Sequence, residues 1–247
     1  MCPAGDTDIL IHPRRGKKEK EIPENGLLLV NPSEAAACHR RLKQQESESR
    51  FLFNSELTIA GNARFFVAGP AIGAPMAVLC MEKLIALGAK RIILFGWCGA
   101  ICKDLEIGDI LLPTRAKSGE GTSRYYPLDD PAVPAGGLRD HIARMYENSH
   151  VKVHPGCVWS TDAVYREDRR MLQALYLKNQ VVAVDMEFSA LCSVACFRKV
   201  EFVAVLVVSD QLWGNTWRPG FSSARFLEQK EKALQILLEH IETFENH

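Results

Sequence analysis

Short apolar runs alternate along the chain with segments whose apolar residues recur at helical spacing. The runs predict buried strands in GLLLVNP at 26–32, which ends in a turn, RIILFG at 91–96, DILLPTRA at 109–116, KVHPGCVWS at 152–160, VVAVDM at 181–186 and FVAVLVVSD at 202–210. Helices are predicted at 74–88, 167–177, 187–198 and 224–243. Apolar strands alternating with helices predict an α/β fold, with a mostly parallel or mixed sheet covered on both faces.

Glycines and prolines mark the turns of this pattern. Residues 56–69 predict a hairpin that turns at Gly61-Asn62, and Gly88 ends the predicted helix at 74–88. The region between the strands at 109–116 and 152–160 is predicted to be loop-rich, because it contains Gly119, Gly121, Pro127, Pro131, Pro134, Gly136 and Gly137. Loops of that length in compact domains are usually functional or disordered.

The composition favours one globular domain. The chain has 247 residues, of which 47% are hydrophobic, and this is enough for one large core. Residues 1–24 include the polar run HPRRGKKEKE and predict an N-terminal arm. Residues 25–247 predict a single domain.

The charge balance narrows the choice of ligand. Lys plus Arg and Asp plus Glu number 30 each, so no net field attracts nucleic acid or an anionic membrane, and a small molecule is favoured. No apolar run reaches the ~20 residues that span a bilayer, and the N-terminus lacks the apolar stretch of a signal peptide. We therefore expect a cytoplasmic protein.

The eight cysteines do not predict a metal site. The spacing of Cys98 and Cys102, like that of Cys192 and Cys196, differs from the spacing of zinc ligands, and no matching pair of histidines accompanies either pair. In a reducing compartment such residues are small core side chains.

The candidate site residues lie where predicted strands end, because ligands of such sheets bind outside the carboxyl ends of the strands. Six segments meet this condition: Asn31 to Glu34, Gly69 to Gly73, Gly96 to Gly99, Ser160 to Asp162, Asp185 to Glu187, and Ser209-Asp210. Asp210 has two interpretations at this point, the N-cap of a following segment or an acid or base at the mouth of the sheet.

The string GPAIGAPMAVLCMEKLIALGAKRIILFGWCGAICKDLEIGDILLPTRA, with VDMEFSAL and VVSD downstream, resembles the nucleoside phosphorylase and nucleosidase family. That family includes purine nucleoside phosphorylase, uridine phosphorylase and methylthioadenosine nucleosidase. The resemblance implies a three-layer α/β sandwich around a central mixed sheet. It also implies a homo-oligomer (dimer, trimer or hexamer) whose neighbouring subunits complete each other's sites, without an organic cofactor.

The resemblance assigns a ribose site. Met186 would form the apolar wall under the sugar and Glu187 would accept hydrogen bonds from its hydroxyls. Cleavage of an N-glycosidic bond builds positive charge on the ribose, and a buried carboxylate stabilises that charge. Glu187 could instead be a helix N-terminal carboxylate. His12 resembles the histidine that reaches into a neighbour's ribose site, and a solvated surface histidine is the alternative.

The resemblance also assigns a base site. Asp210 would protonate or hydrogen-bond the leaving purine at N7, with Arg218 or Arg225 in support of it. The STDAVY segment places Ser160, Asp162, Val164 and Tyr165 near the base, although Val164 stands where an aromatic ring usually stacks. Trp213 and Trp217 would belong to a flap over the base, or simply to ordinary packing.

The chain departs from the family where phosphate binds. Val30 and Glu34 replace the Gly and Arg of the Gly-Asp-Pro-x-Arg motif, Leu94 replaces a second Arg, and Trp97 replaces a small hydroxyl residue. Phosphate is normally held by bidentate Arg and backbone donors. The remaining candidates for an anion or water site are Gly73, Arg50, Trp97 and Cys98, with Arg50 donated by a neighbouring subunit or simply exposed.

Glu34 matches the glutamate that activates water in the methylthioadenosine nucleosidases, so the resemblance favours hydrolysis, with Glu34 and Asp210 as the catalytic pair. An exposed carboxylate at a helix start is the other interpretation of Glu34. Two other functions stay open: phosphorolysis with phosphate as co-substrate, and nucleoside binding without catalysis.

Overall fold

The computed structural model describes residues 9–243. The strands are β1 (Asn25–Leu29), β2 (Glu48–Leu52), β3 (Ser55–Ile59), β4 (Phe65–Gly69), β5 (Arg91–Ala100), β6 (Ile110–Gly119), β7 (Val153–Thr161), β8 (Val181–Asp185), β9 (Glu201–Gln211) and β10 (Arg218–Pro219). The helices are α1 (Pro32–Lys43), α2 (Ala74–Leu87), α3 (Gly136–Asn148), α4 (Arg169–Asn179), α5 (Phe188–Arg198) and α6 (Ala224–His240).

All these strands form one mixed sheet, in the order β10-β9-β6-β7-β8-β5-β1-β4-β3-β2. Strand β5 is central to it, because it pairs in parallel with β1 and β9 and antiparallel with β8. The pairing of β5 with β9 closes five strands, β5, β9, β6, β7 and β8, on themselves. The carboxyl ends of β1, β5, β8 and β9 consequently lie near one another.

Helices cover both faces of the sheet, as the alternation of apolar runs predicted. Successive strand residues point to opposite faces, so Leu28 packs in a core with α2 and α5, whereas Leu27 and Leu29 pack in a second core with α1, α3 and α6. A smaller cluster lies between β7, β8 and α4. The molecule thus has three layers, with the sheet in the middle.

The sequence-based elements are largely confirmed. The hairpin of β3 and β4 forms around Gly61-Asn62, and Gly88 ends α2 with a φ of 118°, a backbone conformation that glycine adopts easily. The prediction of a loop-rich region before β7 was wrong in its second half, where α3 buries the side chains of Leu138, Ile142, Met145 and Tyr146. Strands β2 and β10 and helix α1 were not predicted.

Residues 9–24 of the predicted arm lie against α2 and β2. The backbone N–H of Ile22 donates to the carbonyl of Leu87 (3.0 Å), and the ammonium of Lys83 donates to the carbonyl of Arg14 (3.0 Å). The division between an arm at 1–24 and a domain at 25–247 stays a prediction. None of the helices in the described range is long and apolar enough to cross a membrane.

Candidate active site

A cavity of about 550 Å³ opens where the carboxyl ends of β1, β5, β8 and β9 meet. Its lining includes Val30 and Asn31 after β1, Trp97 and Cys98 in β5, residues 184–187 at the end of β8 and just after it, and Ser209 and Asp210 in β9. Tyr165, Trp217 and Phe221 contribute aromatic side chains from the loops around it. The site therefore lies at the strand ends that the sequence singled out.

Asp185 holds the turn between β8 and α5. One of its carboxylate oxygens accepts the backbone N–H groups of Glu187 (3.1 Å) and Phe188 (2.7 Å), and the other accepts the hydroxyl of Ser160. The carboxylate thus satisfies donors that a helix N-terminus leaves free. Burial raises the pKa of Asp185 to about 6. Asp185 thereby fixes the positions of Met186 and Glu187.

Glu187 is the carboxylate that this turn presents to the cavity. One of its oxygens accepts the backbone N–H of Gly73 (2.6 Å), the residue that precedes α2 and has a φ of 81°. Burial, and secondarily the charge of Asp185, raise the pKa of Glu187 to about 8. Met186 lines the cavity beside it. The expected ribose residues thus lie together, and the amide of Gly73 is already bonded to a carboxylate.

Asp210 is held by two donors near the end of β9. The hydroxyl of Ser209 donates to Oδ1 and the indole N–H of Trp217 donates to Oδ2, both at 2.7 Å. The expectation that an arginine supports Asp210 is not met among the described residues. Arg225 instead pairs with Glu106 and Asp109, and Arg218 is exposed on β10. A neutral indole takes the place of the expected guanidinium.

Glu167 is a lining residue that the sequence analysis missed. It follows a short 3-10 helix, Val164–Arg166, and its side chain is half-buried in the cavity wall. Burial, and secondarily the nearby charge of Asp210, raise the pKa of Glu167 to about 7. In the sequence it lies at the polar start of the helix predicted at 167–177, so no local signal distinguishes it.

The structure places some of the residues expected to contact the base in the cavity lining and others outside it. Val164 and Tyr165 line the mouth of the cavity, and Tyr165 is fully exposed. Ser160 and Asp162 are not among the lining residues. Ser160 is buried between Asp185 and the backbone N–H of Ser189 (2.8 Å), and Asp162 accepts the backbone N–H of Gly121 (2.8 Å). These two side chains therefore stabilise the backbone around the cavity, and neither forms part of the cavity wall.

Trp97 and Cys98 form the side of the cavity where the family resemblance implied phosphate. The Trp97 ring packs edge-on against Phe226, with centroids 5.1 Å apart, and also contacts Phe221. Burial keeps the pKa of the Cys98 thiol well above its ordinary value, so this thiol is neutral. This side of the cavity is uncharged and mostly apolar, with the side-chain oxygen of Asn31 and the indole N–H of Trp97 as buried polar atoms that have no hydrogen-bond partner among the described residues.

Glu34 is buried behind this wall and is not among the residues that line the cavity. Its carboxylate pairs with the ammonium of Lys230 (2.5 Å), which also lies 5.1 Å from the centroid of the Trp97 ring. The expected water-activating role is not met by this arrangement, and neither is the alternative of an exposed helix-start carboxylate. Glu34 instead belongs to a buried ion pair between α1 and α6.

Arg50 and His12 lie away from the cavity of their own chain. The Arg50 guanidinium donates to the carboxylate of Glu48 (2.8 Å) and to the carbonyl of Lys20 (2.7 Å), which ties β2 to the arm. His12 is exposed in that arm. Neither side chain contributes to the site within one protomer.

The resulting site is acidic. Four carboxylates line the cavity, those of Glu167, Asp185, Glu187 and Asp210, and no Lys, Arg or His of residues 9–243 does. The same part of the chain contains no group of three or more His, Cys, Asp or Glu side chains suited to a metal ion. A site of this kind favours ligands that donate hydrogen bonds or carry positive charge, and it disfavours anions.

A sequence profile of the phosphorylase superfamily matches residues 25–243. The chain is 28% identical to a guanosine phosphorylase of Halorubrum lacusprofundi, over 70% of this chain and 73% of the relative. It is also 28% identical to a DeoD-type purine nucleoside phosphorylase of Oceanobacillus iheyensis, over 80% of this chain and 86% of the relative.

Solved structures with the same fold include a purine nucleoside phosphorylase of Toxoplasma gondii in complex with immucillin-H. The TM-score is 0.76 at 18% identity, and the match covers 90% of this chain and 92% of the other. An AMP nucleosidase of Bacteroides thetaiotaomicron gives a TM-score of 0.66 at 25% identity, with 88% and 90% covered. The predicted α/β fold with a central mixed sheet is confirmed.

Proposed function

The chain belongs to the phosphorylase superfamily, and from this premise we propose that it cleaves the N-glycosidic bond of a purine nucleoside by hydrolysis. The recognition of a nucleoside phosphorylase and nucleosidase family in the sequence is confirmed by the superfamily match, and the relatives are named as enzymes that act on such bonds. One observation supports hydrolysis in particular: four carboxylates and no basic side chain of the described residues line the cavity.

The ribose would lie against Met186, with its hydroxyls donating to Glu187. As the bond to the base lengthens, the sugar gains positive charge, and an ionised Glu187 stabilises that charge more strongly than it stabilises the ground state. The pKa of Glu187, raised to about 8 by burial and by the charge of Asp185, would fall when sugar hydroxyls donate to the carboxylate and when the ring becomes cationic. The residue is thus prepared for a charge that develops only during the reaction.

The leaving purine would be protonated by Asp210. A purine anion is a poor leaving group, so proton transfer to the base lowers the barrier. Ser209 and Trp217 hold the two carboxylate oxygens in place, which restricts the direction from which the acid approaches the base.

Water, rather than phosphate, would attack the sugar. A phosphate dianion would have no cationic partner among the lining residues and would face Glu187 at the amide of Gly73. Water carries no charge and would form the new bond to C1′ as the bond to the base breaks. The proton that water loses would pass to solvent, from which Asp210 would recover the proton that it gave to the base. Trp97 and Val30 narrow the space on this side of the ribose, which favours the smaller nucleophile.

Base release from inosine, adenosine, methylthioadenosine and uridine, with and without phosphate, tests the proposal. We expect free ribose from the purine nucleosides at a rate that phosphate does not change. Phosphate-dependent formation of ribose 1-phosphate would instead identify a phosphorylase, as the names of the relatives suggest. Binding without turnover of any nucleoside would identify a non-catalytic protein.

Three further features stay predictions: assembly as a homo-oligomer, location in the cytoplasm and a role in purine salvage. The oligomer bears directly on the proposal, because the family resemblance implies that a neighbouring subunit supplies Arg50 and His12. In one protomer Arg50 is bound to Glu48 and Lys20. Light scattering would show whether the chain assembles into an oligomer. The phosphate assay would then show whether the oligomer has an anion site that uses phosphate.

A further inference from the structure

Glu167 is an acid without a partner in the cavity. Its carboxylate makes no hydrogen bond or ion pair with any residue in the range 9–243, whereas Asp185, Glu187 and Asp210 each accept at least one. A half-buried carboxylate that no protein donor occupies keeps its acceptor oxygens available to a donor that enters the cavity. Glu167 is therefore positioned to accept from a ligand rather than from the protein.

Aromatic side chains flank this acid at the mouth of the cavity. Tyr165 is fully exposed and Trp217 is 57% exposed, yet both belong to the cavity lining. Trp217 also fixes Asp210, so the acids and the rings occupy the same end of the cavity. Aromatic faces attract cations through the ring quadrupole, and the carboxylates attract them by charge.

We propose that Glu167 is a specificity residue that selects nucleosides whose base is cationic in the bound state. This inference rests on the proposed function, because it assumes that the base lies at the end of the cavity that contains Asp210. These nucleosides share a positively charged heteroaromatic base, whether the charge is fixed by alkylation or gained by protonation. Glu167 would accept from, or pair with, that base while Tyr165 and Trp217 cover its faces.

The same arrangement excludes anionic substrates. A nucleoside 5′-phosphate would bring negative charge into a site where four carboxylates already lie and no basic side chain of the described residues compensates. The solved neighbour named as an AMP nucleosidase therefore shares the fold, but we do not expect this chain to accept AMP.

Two nucleosides with the same N1-methyl group provide the test. 1-Methyladenosine is cationic at neutral pH and 1-methylinosine is neutral. Their ratio of dissociation constants isolates the charge once it is divided by the ratio for adenosine and inosine, which differ at C6 in the same way and are both neutral. Calorimetry should show tighter binding of 1-methyladenosine by about tenfold, the size of one charge-assisted hydrogen bond. Glu167→Gln should remove this preference, and Asp130→Asn, which removes an exposed charge outside the cavity, should keep it.

The pH dependence gives a second readout that a purely structural role would not produce. Glu167 faces Asp210 from β9 and shares the cavity with Asp185 and Glu187, while Arg166 and Asp168 flank it in its own segment. Because the pKa of Glu167 is about 7, its negative charge appears as pH rises through that value. Affinity for 1-methyladenosine should rise from pH 6 to 8, and the rise should be smaller in Glu167→Gln.

Each outcome bears on one of the two proposals. Equal or tighter binding of 1-methylinosine, or an unchanged ratio in Glu167→Gln, overturns the role of Glu167 and leaves nucleoside cleavage intact. If neither these nucleosides nor the parent purine nucleosides bind the wild-type chain, the proposed function itself fails, and the specificity role fails with it.

Discussion

The two sides of the cavity differ in chemistry although the same sheet supports both. The side formed by β8, β9 and the loop that contains Trp217 carries carboxylates that face the cavity, among them Glu187 and Asp210. The side formed by β1 and β5 presents Val30 and Trp97, with the buried Glu34–Lys230 pair behind the indole. One side offers the carboxylates that the proposed reaction uses, and the other is packed like a core.

The difference shows which parts of a site can change while the fold stays. Groups that act on the sugar and base must hold a direction relative to the bond that breaks, so they are fixed by β8, β9 and a helix N-terminus. Groups that would bind a second substrate can be replaced by side chains that pack like a core, and those strands need not move. An aromatic ring and an ion pair fill the volume on the β1 and β5 side.

The largest effect is expected from Asp210→Asn. Loss of the proton donor should lower kcat for neutral purine nucleosides by roughly 10²–10⁴-fold, while the unfolding midpoint should barely change because an amide oxygen still accepts hydrogen bonds. Steady-state kinetics and thermal unfolding measure the two quantities. Retained full activity would remove Asp210 from the mechanism and weaken the contrast between the two sides.

Lys230→Met tests whether the other side is structural. The substitution leaves the Glu34 carboxylate buried without its partner, and we expect a loss of about 3–5 kcal/mol in the free energy of unfolding. The double variant Glu34→Gln/Lys230→Met should recover most of that loss, since no unpaired charge remains. Denaturant titration provides both values. A loss below about 1 kcal/mol in the single variant would indicate that water reaches the pair.

Glu187→Gln should make the protein more stable and less active. The unfolded chain titrates near the ordinary value of 4.5 and the folded chain near 8, so between these values the folded state holds a proton that the unfolded state has lost. Stability therefore falls as pH rises across this window. The variant lacks this penalty and should gain on the order of 2 kcal/mol at pH 8.

Unfolding experiments from pH 5.5 to 8.5 check this pH dependence. The difference between variant and wild type should grow with pH. Glu147→Gln, which changes an exposed glutamate in α3, is the matched control and should show no such growth. A constant difference across the range would mean that Glu187 does not titrate in this window.

Trp217→Phe should have the smallest effect. The ring remains, but the indole N–H that donates to Asp210 is lost, so we expect kcat to fall about tenfold, or about 1.4 kcal/mol in the barrier. Trp213→Phe, beside Lys103 rather than Asp210, should leave kcat unchanged. Equal behaviour of the two variants would contradict the positioning role.

The sequence predicted the strands that carry the site because their apolar runs are local and continuous. It missed α3, where Gly136 and Gly137 open the helix and resemble loop residues, although the apolar spacing that follows is helical. It also missed β2, whose residues ESRFL are mostly exposed at the edge of the sheet. An exposed edge strand has no buried face to impose a pattern.

The carboxylates at the strand ends were visible in the sequence, but their partners were not. Lys230 lies 196 positions from Glu34, and no local pattern links them. The expectation that Arg218 or Arg225 supports Asp210 followed the family resemblance, whereas the structure uses the indole of Trp217. Long-range pairs depend on how α1, α6 and the loop that contains Trp217 pack on the sheet, which a single sequence does not specify.

The placement of Trp97 and Trp217 has a practical consequence for spectroscopy. They are two of the four tryptophans of the chain, and both line the cavity. One indole bonds to a carboxylate and the other lies beside an ammonium, so the emission of each depends on its local field. A nucleoside that enters the cavity changes that field. Intrinsic fluorescence should thus report occupancy of the site even in variants that have lost turnover.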